Sequence, residues 1–271
     1  MNTPPRIIMV GAHPDDCDFY AGGLAALWTQ AGLTVEFVSA TNGDAGHHEM
    51  GGGALARRRA AESAAAGAVL GIRYTNLDNH DGELTASLEH RRQIIRLLRT
   101  FQPDLVLTHR GGDYHADHRA ASQLVQDATF LLTVPNLCPD TPALRAMPTV
   151  MHTEDGFSKP EPFVPDVVVD IDPVLDLKAQ MAAAHESQVF EWLPWLDGQT
   201  APTGPAERKA FVRAWMERRG RATADRFREQ LCASYGPDHG NRVQCAEALA
   251  LTEYGAPLTP ERRAALFPFL P

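Results

Sequence analysis

The 271-residue chain is 44% hydrophobic and carries 34 Asp and Glu against 25 Lys and Arg, a formal charge of −9. That length and apolar fraction support one sizeable α/β core and exclude a disordered chain. The acidic balance lacks the clustered cations that phosphate neutralisation needs, so neither DNA nor RNA is the expected partner. Residues 1–10 lack the charged start, long apolar stretch and cleavage site of a secretory leader. No apolar run reaches the length of a bilayer span, so a cytoplasmic protein without a membrane span is expected. Cys17, Cys138, Cys232 and Cys245 form no CxxC pair, which indicates neither a disulfide framework nor a thiolate metal site.

In chain order, the apolar run 6–10 reads as a buried strand that Gly11 and Pro14 stop. His13, Asp15, Asp16 and Asp18 crowd its end. Charges there must be solvated, paired or neutralised by a cation. Asp15 and Asp16 can also serve as caps of the next helix. A helix from Leu24 ends near Gly32, and 34–40 alternates as a second strand. A glycine-rich loop follows, in which His47 and His48 read as solvated. Next come a helix over 55–70, a strand over 72–77, a helix over 88–101 and a strand over 104–108. The segment 109–118, with His115 and His118 three apart, precedes a helix over 120–132.

Beyond Thr133 the chain is proline-rich, with strands expected at 148–153 and 166–171. A helix opens at Asp172-Pro173 and runs through Phe190. On it Lys178, His185 and Gln188 share a face and read as hydrogen-bonding residues of a partly exposed helix. Residues 192–204, with two tryptophans, read as a rim or lid. Residues 206–231 are helical and basic, a solvated face or a contact for an anionic substrate or partner subunit. Residues 242–250 read as a short helix.

Alternating strands and helices imply a doubly wound, mostly parallel sheet flanked by helices, with a mainly helical C-terminal part. In the strand order 3-2-1-4-5 the first and fourth strands are neighbours, and ligands bind outside their carboxyl ends. The His13 loop then faces the His115 loop. His13, Asp16 and His118 form a nitrogen and carboxylate set suited to Zn²⁺, with an open position for water that Asp15 can face. Fe²⁺ fits the same ligands. The first strand-to-helix turn has no GxGxxG, and the chain has no GxxxxGK[ST], so dinucleotide and P-loop readings fail.

AHPDDCD at residues 12–18 with His-x-x-His at 115–118 resembles the LmbE-like, or PIG-L, family of zinc-dependent N-deacetylases. Gly22-Gly23, Thr41-Asn-Gly-Asp44, Arg59-x-x-Glu62, Asp81-Gly82 and the Lys178 to Gln188 segment add to the resemblance. It implies a Rossmann-like core over 1–190, with 191–271 packed on it as an irregular loop and helices. It also implies removal of an N-acetyl group from an N-acetylglucosamine-type small molecule. By motif position His13, Asp16 and His118 match zinc ligands and Asp15 the base. His115 would lie beside the substrate carbonyl, with Asp117 orienting it. Arg59 and Asp81 match positions that contact sugar or aglycone. Asp18 departs from the glutamate usual in the family.

The expected reaction is amide hydrolysis by zinc-activated water, with Asp15 as base and a protonated His115 at the oxyanion. Arg59, Asp44 and Asp81 are the expected contacts of sugar hydroxyls or an acidic aglycone. The alternatives are another metal-dependent hydrolase, such as a phosphoesterase, and a non-catalytic sugar- or metal-binding protein. A homo-oligomer is compatible with the sequence.

Overall fold

Ile7, Ile8, Met9 and Val10 are all buried, so β1 (Arg6–Gly11) has an apolar layer on both faces and lies at the centre of a sheet. The computed structural model describes residues 4–271; Met1 to Thr3, part of the leader reading over 1–10, lie outside the described residues. The further strands are β2 (Thr34–Ser39), β3 (Arg73–Asn76), β4 (Leu105–Thr108), β5 (Thr149–Thr153), β6 (Val167–Asp170) and β7 (Ala246–Leu251). The sheet order is β3-β2-β1-β4-β5-β7-β6. The first five strands run parallel, in the expected order, and β7 runs antiparallel to both its neighbours. The register places Val10 beside Val38 on one side and Thr108 on the other, so three strand ends open together.

The helices that cover the sheet are α1 (Asp16–Gln30), α2 (Gly52–Leu70), α3 (Leu88–Phe101), α4 (Ala116–Leu131) and α5 (Leu175–Ala184). The chain continues with α6 (Leu193–Leu196), α7 (Pro205–Arg226), α8 (Arg228–Tyr235), α9 (Pro237–Gly240) and α10 (Pro260–Leu266). One apolar layer packs α1, α5 and α7 on one face of the sheet, and a second packs α3 and α4 on the other. Among the described residues no helix is long and apolar enough to cross a membrane.

Residues 242–250 are not the expected helix. The run Ala246-Glu-Ala-Leu-Ala-Leu251 favours a helix by composition, yet it forms β7 between β5 and β6. Pairing on both edges overrides propensity because the alternation suits both faces. Ala246 and Ala248 turn to Phe163, Phe227 and Leu231, while Leu249 turns to the α1 side. The C-terminal segment therefore contributes a strand to the sheet. The helix expected over 172–190 is also divided: α5 stops at Ala184, and Ser187–Trp192 winds as a wider π-helix.

Lys178, His185 and Gln188 are buried, not partly exposed as the helical reading implied. Helix α1 bends at Ala21, which frees the amides of Gly23 and Leu24. Glu247 accepts from both, at 2.9 and 2.7 Å, and from Lys178 Nζ at 2.6 Å. The glycine pair makes this approach feasible, since a Cβ on Gly23 would meet Ile171 at 2.8 Å and Glu247 Oε1 at 3.0 Å. Asp18 reaches His185 Nε2 at 2.8 Å, with both side chains fully buried.

Glu247→Ala strands a buried ammonium and two amides, and the expected loss is about 3–5 kcal/mol of unfolding free energy in denaturant titration, with Glu247→Gln milder. A second expectation concerns His152 on β5. Burial, then the Arg110 charge, depress its imidazole from 6.5 to about 4. The folded state therefore stays unprotonated while the unfolded chain takes a proton. The stability this group contributes is complete above pH 6.5 and is lost as pH falls towards 4. The size is on the order of 1–3 kcal/mol. His152→Asn flattens that part of the stability-versus-pH curve.

Candidate active site

β1 and β4 are hydrogen-bonded neighbours, so the loops leaving their carboxyl ends, 11–15 and 109–115, face each other. Asp16, in the first turn of α1, turns back over the first loop. Its Oδ2 accepts the amides of Ala12 at 2.9 Å and His13 at 2.7 Å, which leaves Oδ1 aimed at the second loop. His118, one turn into α4, brings Nε2 to 3.5 Å from that Oδ1 and 3.3 Å from His13 Nδ1. His13 Nδ1 lies 3.5 Å from Asp16 Oδ2.

Ligands held tetrahedrally at about 2.0–2.1 Å from an ion stand about 3.3–3.4 Å apart, and this triangle, in which one Asp16 oxygen faces each imidazole nitrogen, has about that spacing. When the ring protons sit on the far nitrogens, the two near nitrogens present lone pairs to one another, and a cation between them relieves that repulsion. The far nitrogens lie close to carboxylates, as those of metal-bound histidines usually do. His13 Nε2 is 3.2 Å from both Asp81 Oδ1 and Asp117 Oδ2, and His118 Nδ1 is 3.0 Å from Asp113 Oδ2. Three groups of donors converge within 4.8 Å: His13-His115-His118 and Asp16-His109-His118, which each share two members with this triangle, and His13-Asp81-Asp117. The last uses the far nitrogen of His13. The donor set fits a divalent ion of the zinc or iron type at His13, Asp16 and His118.

The electrostatics agree with this placement. Burial pulls the His13 imidazole down, but hydrogen bonds to Asp117, Asp16 and Asp81 outweigh it and hold the group well above its ordinary value. Burial likewise raises Asp16, yet the adjoining His118 and His109 hold its carboxyl well below the usual range. Positive charge is favoured at this point. Asp15 differs, because burial outweighs the opposing Arg59 charge and lifts it to about 6, with Asp16 adding to the rise. A carboxylate in that range is suited to taking and returning a proton near neutral pH.

Arg59 is buried on α2 and fixes Asp15 from below. Its guanidinium donates to Pro14 O at 3.0 Å and Gly43 O at 3.3 Å, and lies 3.4 Å from Asp15 and 3.5 Å from Asp81. It crosses Gly43, where φ is +71° and a Cβ would meet the guanidinium at 2.6 Å, which accounts for the glycine of Thr41-Asn-Gly-Asp44. Glu62, one turn on, accepts Ser187 N at 2.9 Å and Ser187 Oγ at 2.6 Å. That joins α2 to the π-helical turn, from which Gln188 lines the cavity.

Asp81, Arg59, Asp15 and His115 all line one cavity of about 530 Å³ with His13, Asp16 and His118. Phe19, Trp192, Leu193, Leu196 and Trp215 form its apolar side, so the tryptophan-rich segment is a rim. Two expected residues stand elsewhere. Asp44 does not line the cavity; its carboxylate takes His80 Nδ1 at 2.6 Å and the Asp81 amide at 3.0 Å, and so aims Asp81. Asp117 does not orient His115 with its side chain. It is fully buried, faces His13, and accepts the amides of Gly82 at 2.7 Å and Leu84 at 3.2 Å.

His115 caps α4, its Nδ1 accepting the Asp117 amide at 3.1 Å. That bond leaves the ring proton on Nε2. Burial and then the charges of His13 and His118 push this imidazole below its ordinary value, which favours the neutral donor over the expected imidazolium. His47 and His48 are not solvated singly: His47 Nε2 bonds Glu191 at 2.9 Å, and His48 stacks on Trp195 at 5.0 Å. The reading from sequence also passed over His109, which lies flat on His118 at 4.1 Å and 3.2 Å from Asp16, and Asp113 behind His118. Asp113, two residues before His115, was the signal available.

The profile of the PIG-L family, GlcNAc-PI de-N-acetylase, matches residues 8–129, which hold the whole donor cluster. A diacetylchitobiose deacetylase of Thermococcus kodakarensis is 29% identical over 209 residues, 72% of this chain and 76% of that protein. A 4-oxalmesaconate hydratase of Pseudomonas putida is 28% identical over 71% of this chain and 78% of that protein. The N,N'-diacetylchitobiose deacetylase of Pyrococcus horikoshii superposes with a TM-score of 0.70 at 22% identity, over 91% of this chain and 83% of that one, and shows the same fold. The match is carried by residues 8–129, and over that segment this chain is similar to the PIG-L family.

Proposed function

We propose that the protein is a metal-dependent hydrolase that removes the N-acetyl group from an N-acetylglucosamine-type small molecule. The observation that carries the reading is the juxtaposition of a three-donor triangle, His13, Asp16 and His118, with a spare buried acid, Asp15. Deacetylation by relatives that share the cluster's segment supports the substrate class.

A divalent ion held by His13, Asp16 and His118, zinc by preference and iron as the second choice, would supply Lewis acidity. Asp15 takes the proton of the attacking water and gives it to the sugar nitrogen as the C–N bond breaks, leaving acetate and the free amine. His115 Nε2–H donates to the carbonyl oxygen as negative charge develops there. Asp81 offers a carboxylate to sugar hydroxyls, with Arg59, which also lines the cavity, held against it at 3.5 Å. Asp44 and Asp117 act as positioning residues, through Asp81 and His13 respectively.

The similarity to a hydratase supports one competing reading, addition of water to a carbon–carbon double bond by the same acid–base pair. Acetate release from an N-acetylated sugar separates the two, since the hydratase reading predicts none.

Two experiments follow from these assignments. Asp15→Asn is expected to lower kcat for acetate release by about 10²–10⁴-fold while the protein still binds one divalent ion in equilibrium dialysis. Near-native turnover would remove Asp15 from the mechanism. Asp113→Asn is expected to weaken divalent-ion affinity by about 10–100-fold, read by competition with a chelating dye, because it removes the carboxylate charge 3.0 Å from the far nitrogen of His118.

A further inference from the structure

The cavity above the cluster does not end at one sugar ring. Its volume of about 530 Å³ adjoins a second cavity of about 370 Å³, and the two share Phe19, Tyr20, Tyr114 and Arg219 as walls. Together they suit a ligand of several units. The polar cluster occupies one end, and the shared wall lies between that end and the space over β7.

The cations that line these cavities differ in their partners. Arg59 is taken by Asp15 and Asp81, Lys178 by Glu247, and Arg226 by Glu154 at 3.5 Å. Arg219 on α7 has no carboxylate within 4.0 Å among the described residues, and its guanidinium donates no hydrogen bond among them. It lies over the Tyr20 ring at 5.3 Å and beside Phe19 at 6.0 Å. Nearby acids are engaged elsewhere: Glu154 accepts Thr223 Oγ1 at 2.5 Å, and Asp155 holds Arg110 at 2.6 and 2.7 Å. Ring faces steady the guanidinium without using its N–H fork, which leaves a planar, half-buried donor array open to a bidentate anion.

We infer that Arg219 selects substrates bearing an anionic group, a carboxylate or a phosphate, at the end remote from the acetamide. This rests on the deacetylase reading and specifies its substrate class. Arg219 touches the remote group and not the reacting amide, so its effect is on KM more than on kcat. The lysine alternative is a poorer fit, because an ammonium lacks the planar fork and rests less well on aromatic faces.

The test uses the metal-replete full chain, wild type, Arg219→Gln and Arg219→Lys, with three substrates. Methyl N-acetylglucosaminide is the neutral one, its carboxymethyl analogue carries a carboxylate, and N-acetylglucosamine 1-phosphate carries a phosphate. The anionic-to-neutral ratio of kcat/KM is expected to exceed one in wild type for at least one anion, which identifies its chemistry. In Arg219→Gln that ratio falls by about 10–100-fold through KM, and Arg219→Lys recovers part of it. A ratio near one in wild type, or the same ratio in Arg219→Gln, overturns the proposal. If no substrate releases acetate, the deacetylase reading fails, and calorimetric titration with the carboxymethyl and methyl glycosides decides the anion site separately. Tighter binding of the anionic glycoside, lost in Arg219→Gln, sustains it, and equal binding overturns it.

Discussion

Five carboxylates, Asp15, Asp16, Asp81, Asp113 and Asp117, gather around His13 and His118 at the end of β1, and one guanidinium, Arg59, is the fixed positive charge among them. Their side chains are buried or nearly so, out of reach of bulk screening. An arrangement of that sign needs positive charge at its centre, and the elevated His13 imidazole shows where it is most favourable. A divalent ion would supply more of that charge than a proton does and would satisfy the two nitrogens that face each other at 3.3 Å. Much of the surrounding structure keeps this cluster together.

The neighbouring elements each hold a part of it. Asp44 folds the 80–82 turn so that Asp81 meets His13, and Asp117 pins the same turn through the amides of Gly82 and Leu84. Glu62 and Ser187 tie α2 to the π-helical turn, so that Arg59 and Gln188 both reach the cavity beside Gly46. The Lys178–Glu247 pair lies further out. It caps the bend of α1 and links the C-terminal strand to the helix that carries Asp16. Residues distant in sequence thus act on the donors through rigid hydrogen-bonded contacts.

The parallel half of the sheet was legible because β1, β2 and β4 are short apolar runs bounded by turn residues, and the order of such a sheet brings the ends of β1 and β4 together. The His13, Asp16 and His118 convergence followed from that order. Residues 246–251 were misread because an alanine-rich strand paired on both edges carries no local sign of its partners. Lys178 and Glu247 shared the difficulty, since each charge is explained by the other, 69 residues away. The side-chain direction of Asp117 depends on the 80–84 loop, and the neutrality of His115 on a capping bond. Neither is encoded in the spacing of 115–118.

The account rests on one ion held between β1 and β4. Anomalous diffraction from crystals of the zinc-loaded protein tests that most directly. The account predicts a single strong peak bounded by His13 Nδ1, the Asp16 carboxylate and His118 Nε2, with Asp15 outside the ligand set. A peak seated instead on His13 Nε2, Asp81 and Asp117, or no peak at the strand ends, would contradict it.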